Sequence, residues 1–266
     1  MSSDLEGTLS IGLIRINTET YRDYRASIDA VKDSARINRK LNLDVIVGPE
    51  WSLMNRRADE EPYSPEELKE VIDYFNEETR GTNTLFIPGT AVVRTRHGNI
   101  YNMLLAFNNG RVLFSTIKNT NGGTTKFDID DVYNLVLDKG IHQFTFRGKK
   151  IGVEICSDAD ILASSGATGL DMQILVSCGI RTTGLAIKKG GYMMCVDGSR
   201  EGTFPKDKNS TYILTKTIDK HVDLSDYKGF FHGKMSLRGR KPGFKLFYRY
   251  SRKYRELEVY KVNSGN

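Results

Sequence analysis

The sequence predicts an α/β protein, and three observations carry that prediction. Residues 9–16 and 43–47 read as apolar strands on either side of an amphipathic helix at 21–41. Strand, helix, strand in this order calls for a right-handed crossover and a parallel pair. A second helix announces itself at Ser64-Pro65-Glu66-Glu67, and Ile151, Val153 and Ile155 alternate with small or polar residues up to Cys156, as a strand feeding a core does. Residues 1–266 show no internal repeat and no linker, so the whole chain reads as one domain.

The elements follow in order. In the first helix Tyr21, Tyr24, Ile28, Val31, Ala35 and Leu41 recur at spacings of three, four or six, while Arg22, Asp23, Lys32, Asp33 and Arg39 make the other face. The strand at 43–47 is closed by Gly48-Pro49, and Glu50 comes next. Ser64 caps the second helix, Pro65 takes its first position and Glu67 completes a capping box. Leu68, Val71, Ile72 and Phe75 form its buried stripe, and Gly81 ends it. Residues 85–93 read as another strand region. Asn108-Asn109-Gly110 joins strands at 101–107 and 111–117 in a hairpin, and Lys118 stands where the second strand runs out. Residues 119–140 are polar and irregular, as a loop over a cleft would be. Strands at 144–146 and 151–155 follow, then strands at 172–177 and 192–196 with a short helical piece around Leu185-Ala186-Ile187 between them. The last third is strand-like but broken, at 211–217, 244–250 and 257–262.

Composition excludes several classes. No apolar run approaches the ~20 residues a membrane-spanning helix needs. The opening Met-Ser-Ser-Asp-Leu-Glu-Gly lacks the basic-then-apolar order of a signal peptide. Three cysteines without a CxxC pair suit neither a disulfide framework nor a zinc site, so the expected compartment is the cytoplasm.

Three reactive groups occupy comparable places: Glu50, Lys118 and Cys156 each stand at the end of an apolar strand. A sheet brings strand ends together, and the carboxyl ends of strands in open α/β sheets are where ligands sit. Alone, each has an ordinary reading as a surface acid, a surface lysine or a small core thiol. Together they supply a nucleophile, a base and a cation, which is what covalent catalysis by a thiol needs.

The surrounding residues resemble the nitrilase, or carbon–nitrogen hydrolase, superfamily. Asp44-Val-Ile-Val-Gly-Pro-Glu50-Trp is similar to the strand leading to that family's glutamate. Asn109-Gly-Arg-Val-Leu-Phe-Ser-Thr-Ile-Lys118 is similar to its lysine segment, and Gly148-Lys-Lys-Ile-Gly-Val-Glu-Ile-Cys156-Ser-Asp158 to its cysteine motif. Residues 186–198 resemble the passage that follows the active site; the likeness fades after about residue 200. It implies a nitrilase-like α-β-β-α sandwich and a Glu50-Lys118-Cys156 triad. It further implies an oxyanion contact from the Ser157 backbone N–H, a small-molecule amide substrate, no metal or cofactor, and a homo-oligomer. Hydrolysis of a nitrile, or transfer of the acyl group to an amine, is open on the same scaffold. Departures are visible. Ala159-Asp-Ile-Leu-Ala-Ser-Ser-Gly replaces the family's arginine-, proline- and glutamate-bearing turn, and no glutamate lies between Lys118 and Cys156 except Glu154. Asp131 is the candidate for a shortened supporting acid.

Other readings compete. His97, His142, His221 and His232 offer a Cys/His pair, although none falls at a convincing strand end. Cys178 and Cys195 read as structural or cleft-lining. From Arg238 to Lys261, arginines and lysines interleave with Phe244, Phe247, Tyr248, Tyr250 and Tyr254. Such a segment can contact nucleic acid or an acidic partner; the favoured reading is a solvated edge whose cations discourage strand pairing.

Overall fold

The computed structural model of the chain describes residues 8–16, 24–54, 61–95, 98–118, 142–178, 186–198, 211–215, 244–252 and 255–263. β1 (Thr8–Arg15) is followed by α1 (Tyr24–Leu41), β2 (Val45–Val47), α2 (Pro65–Thr79), β3 (Leu85–Ile87), β4 (Thr90–Arg94), β5 (Ile100–Asn108) and β6 (Arg111–Ile117). Then come β7 (Gln143–Phe146), β8 (Lys149–Ile155), a 3-10 turn at Cys156–Asp158, α3 (Ile161–Ser164), β9 (Leu170–Ser177) and β10 (Ile187–Asp197). β11 (Thr211–Thr215), β12 (Phe244–Arg252) and β13 (Arg255–Asn263) follow.

Two mixed sheets make the sandwich. The first has the order β12-β13-β1-β2-β3-β5-β4, with β6 also paired to β5; the second has the order β11-β10-β9-β8-β7. The expected parallel pair is present, with Ile11 opposite Val45 and Leu13 opposite Val47, and β8, β9 and β10 are parallel neighbours in the second sheet. Alternation along the strands sorts side chains into layers. Ile14, Ile46 and Phe86 face α1 and α2, where they meet Val31, Ile72 and Phe75. Ile11, Val45, Val47 and Leu104 pack between the sheets against Val153, Ile155, Ile174 and Val176. A third cluster, with Leu162, Leu170, Leu175, Met193 and Cys195, lies on the outer face of the second sheet beneath α3.

The start of α2 matches its sequence signals. The Glu67 N–H donates to Ser64 Oγ at 3.2 Å while the Ser64 N–H donates to Glu67 Oε2 at 2.8 Å, and Pro65 opens the helix. Leu68, Ile72 and Phe75 are buried, with Val71 partly so. The β5–β6 hairpin turns through Asn109 and Gly110 at φ 48° and 80°, the left-handed pair that a two-residue turn requires.

Two local expectations change. Residues 85–93 form two strands, because Pro88 lacks an N–H and Gly89 adopts φ 111°, which turns the chain from β3 into β4. No helical piece occurs at 186–187: the Ala186 N–H donates to Gln173 Oε1, and Ile187 enters β10 opposite Leu170, ahead of an irregularity in the ladder. Leu185 lies outside the described residues, as do His97, His221, His232, Asp131 and the rest of residues 119–141. Of the basic C-terminal segment, β12 and β13 are described. They form an antiparallel hairpin beside β1, with β12 at the sheet edge. Among the described residues no helix is long and apolar enough to cross a membrane.

Candidate active site

Glu50, Lys118 and Cys156 come together where the two sheets face each other. Glu50 follows β2 through Gly48-Pro49 and is fully buried. Its backbone N–H approaches the Ser177 carbonyl at 3.4 Å, and the same carbonyl accepts the Gly198 N–H at 3.0 Å. One oxygen thus gathers the ends of β2, β9 and β10. The turn after β2 leaves no room for side chains. A Cβ on Gly48 would lie 2.3 Å from the Pro88 carbonyl oxygen, and one on Gly89 2.1 Å from that of Pro49. Ser52 donates its hydroxyl into the same gap, between the carbonyls of Pro49 and Pro88. Trp51, next to Glu50, sits at φ 62° with its N–H on Thr90 Oγ1 at 2.8 Å. A bulky residue held left-handed is strain that surrounding contacts must sustain.

Lys118 follows β6, and its backbone N–H donates to the Asn102 carbonyl at 2.9 Å. Its Nζ reaches Glu50 Oε1 at 2.9 Å, and Asn102 Nδ2 donates to that oxygen at 2.8 Å. Asn102 therefore fixes both members of the ion pair, one through its side chain and one through its backbone. Glu50 Oε2 is buried with no nitrogen or oxygen donor among the described residues. The Cys156 thiol is the further proton-bearing group that interacts with the carboxylate.

Cys156 closes β8 at φ 47°, and Asp160, four residues on, has φ 77°. The conformation at Cys156 matters. By strict alternation Cys156 would share the outer face with Gly152 and Glu154; instead it belongs to the layer between the sheets. The left-handed turn brings the sulfur round to the side of Glu50 and Lys118. Sγ also lies 3.8 Å from the Cys178 carbonyl oxygen, and the Ala159 N–H closes the turn on the Cys156 carbonyl at 2.9 Å. Ser157 is exposed at the middle of the turn, and Asp158 is buried.

The charges follow from burial and pairing. Burial raises the Glu50 pKa, and Lys118, Cys156 and Asn102 oppose the rise without cancelling it. Burial would lower the Lys118 pKa, but the Glu50 carboxylate outweighs it and the net shift is upward, with Cys156 and Asp158 adding to it. Burial first, and the Glu50 charge second, push the Cys156 thiol up to about 12; Lys118 pulls it back only slightly. The Lys118 ammonium pairs with Glu50, and its pull on the thiol is outweighed by burial and by the Glu50 charge.

His142 is buried. Burial lowers its pKa, while Asp158 and a hydrogen bond to the Val153 backbone oppose that shift. The charged neighbour of His142 is thus Asp158, whereas those of Cys156 are Glu50 and Lys118. Cys195 is buried in the outer cluster, and Cys178 is half-buried at the end of β9. Asn102 and Asp158 are site residues that the sequence reading did not assign. Asn102 could have been noticed as the one amide inside the apolar run from Ile100 to Phe107, and Asp158 as the acid of the Cys-x-Asp motif itself.

No protein-family model matches the chain, and no curated protein sequence matches it. Solved structures do. Nit3 of Saccharomyces cerevisiae, a member of branch 10 of the nitrilase superfamily, is 14% identical over 97% of this chain and 90% of its own, with a TM-score of 0.54. A glutamate-to-glutamine mutant of the amidase from Nesterenkonia sp. AN1, with the acetamide moiety of fluoroacetamide on its active-site cysteine, is 10% identical; 98% and 92% of the two chains are covered, with a TM-score of 0.56. The glutamine-dependent NAD+ synthetase of Acinetobacter baumannii, solved with ADP, is 16% identical over 81% of this chain, with a TM-score of 0.53. The chain spans only 44% of that synthetase's length. At these identities the likeness is one of fold. The chain has the fold that these members of the nitrilase superfamily share.

Proposed function

We propose that the protein is an amidase-type carbon–nitrogen hydrolase that works through a thioester on Cys156. The observation that carries this reading is the convergence of Glu50, Lys118 and Cys156 in one buried cluster at strand ends. A thiol this reluctant to ionise needs a base at the moment of attack, and Glu50 is the carboxylate that meets it. Sγ attacks the amide carbon as Glu50 takes its proton. Negative charge then develops on the substrate oxygen, where Lys118 Nζ and the Ser157 N–H are the proposed donors; each such donor is typically worth ~3 kcal/mol. Glu50 returns the proton to the departing amine, and the C–N bond breaks to leave the thioester. Water attacks next with Glu50 again as base; the C–S bond then breaks, Glu50 returns the proton to Sγ, and the acid is released. Asp131 stays a candidate supporting acid in the loop at 119–141. A small-molecule amide is the proposed substrate, and assembly as a homo-oligomer is carried over from the resemblance. Three free thiols suit a reducing compartment, and the cytoplasm belongs to this reading.

The test is a panel of small carboxamides, N-carbamoyl amines and nitriles, read by ammonia release and by the mass of the acyl adduct on Cys156. Amide turnover that Cys156→Ala abolishes in a folded protein is the expected result. Nitrile turnover with amides untouched would overturn the substrate class, amine acylation without acid release would make the protein a transferase, and activity surviving Cys156→Ala would overturn the mechanism.

A further inference from the structure

A second acid lies two residues before the nucleophile, on the opposite face of β8, and the mechanism above does not use it. Glu154 is fully buried. Its Oε1 accepts the Leu162 N–H at 3.0 Å and its Oε2 accepts Gln173 Nε2 at 2.9 Å, and the Asp160 backbone also hydrogen-bonds the carboxylate. Gln173 Oε1 accepts the Ala186 N–H at 2.9 Å. That last bond fixes the amide's orientation. A backbone N–H can only donate, so Oε1 must face Ala186 and Nε2 must face Glu154. The chain of bonds runs from the segment after Cys156, across β8 and β9, to the entrance of β10.

The segment so held contains both left-handed residues, Cys156 and Asp160. Left-handed backbone at a residue with a Cβ is unfavourable and persists only when its surroundings over-determine it. Relaxed to extended backbone, Cys156 would continue the alternation of β8 and turn its sulfur to the outer face. We propose that Glu154 is a positioning residue for the nucleophile. By tying the N–H groups of Asp160 and Leu162 back to β8, and β8 through Gln173 to β10, it holds the turn that keeps Cys156 Sγ on the side of Glu50 and Lys118. This inference rests on the proposed role of Cys156 but not on the identity of the substrate.

The hydrogen-bond pattern dictates the test. In Glu154→Gln the new amide can satisfy Leu162 through its oxygen, but its NH2 then opposes the NH2 of Gln173. Relief by flipping Gln173 strands the Ala186 N–H. Exchanging the pair, Glu154→Gln with Gln173→Glu, restores acceptors for the Leu162 and Ala186 N–H groups and for the side-chain amide between them. The amide introduced on β8 accepts the Leu162 N–H and donates to the carboxylate introduced on β9, whose other oxygen accepts the Ala186 N–H. Alkylation of Cys156 by iodoacetamide, followed by peptide mass spectrometry at pH 9 on protein shown to be folded, reads the position of the sulfur without turnover. The single variant should label Cys156 about tenfold or more slower than the unsubstituted protein, and the exchanged pair should recover most of that rate. An unchanged rate in a folded Glu154→Gln protein, whatever its melting temperature, would overturn the proposal. So would a folded exchanged pair that labels as slowly as the single variant. Should the single variant not fold, the exchanged pair decides by the same comparison, and failure of both to fold would make the network a determinant of the fold instead. Because labelling needs no substrate, nitrile turnover with amides untouched would sink the amidase reading and leave this comparison standing, whereas amide turnover surviving Cys156→Ala would remove the nucleophile that Glu154 is proposed to position.

Discussion

Asn102 is the residue whose removal says most about the site, because it touches both charges without being one. Its Nδ2 donates to Glu50 Oε1, which favours the ionised carboxylate and pulls down a pKa that burial raises. Asn102→Leu removes that donor, so the Glu50 pKa rises further. The acid limb of kcat/KM should move to higher pH, with the fall in rate smaller above the limb than below it. An acid limb that stays where it was would show that Glu50 is not the group being titrated. That Glu50, Lys118 and Cys156 would meet could be anticipated from the sequence, since each is a reactive type standing where an apolar run stops. Asn102 was not anticipated, because a polar residue in mid-strand declares its partners only when the fold brings the turn after β2 and the end of β6 up to β5. The charge state of the thiol was also beyond the sequence. Whether a lysine's charge falls to a thiolate or to a carboxylate depends on which is nearer, and here Glu50 takes it.

Secondary structure was legible wherever local chemistry alone decides it. The Ser64-to-Glu67 box, the Asn109-Gly110 turn and the alternation of β8 are set by neighbours in sequence. The strand beginning at Ile187 was misread, since it answers to Leu170 on β9, far along the chain; the break at Pro88-Gly89 was passed over although both residues mark it locally, and its tightness against the Pro49 turn shows only in the fold. Paired substitutions separate the two kinds of element. Ser64→Ala removes one half of the capping box and should cost about 1 kcal/mol, read by chemical denaturation, with turnover unchanged. Gly89→Ala places a Cβ 2.1 Å from the Pro49 carbonyl oxygen at a backbone angle unfavourable to alanine. It should cost several times as much and also lower kcat, because Glu50 is carried by the turn that must move. Equal effects from the two would mean that the turn is looser than its contacts imply.

At the scale of the molecule, the sandwich layout could be expected from the order of elements together with the motif resemblance. The strand order of the first sheet could not, since pairing between distant strands leaves no local mark. Its clearest case is β1, which β2 pairs on one side and β13 on the other, Thr8 lying opposite Asn263 and Ile11 opposite Tyr260. Shortening the chain to remove residues 244–263 should therefore leave β1 with an open edge carrying buried-type residues such as Ile11 and Leu13. Such an edge is a template for pairing with other chains, and the shortened protein should sediment as aggregate. A soluble, cooperatively unfolding product would show that the terminal hairpin is an accessory.

The β1–β13 ladder also bears on how the protein is made. A ribosome delivers β1 before β13 with every other strand of that sheet between them in sequence, so the sheet's interior stays incomplete until β13 emerges. Closing so distant a pair is slow, because the entropy of a very long loop is lost before the ladder compensates for it. For that interval the nascent chain carries a half-paired apolar strand, the kind of segment that holdase chaperones shield.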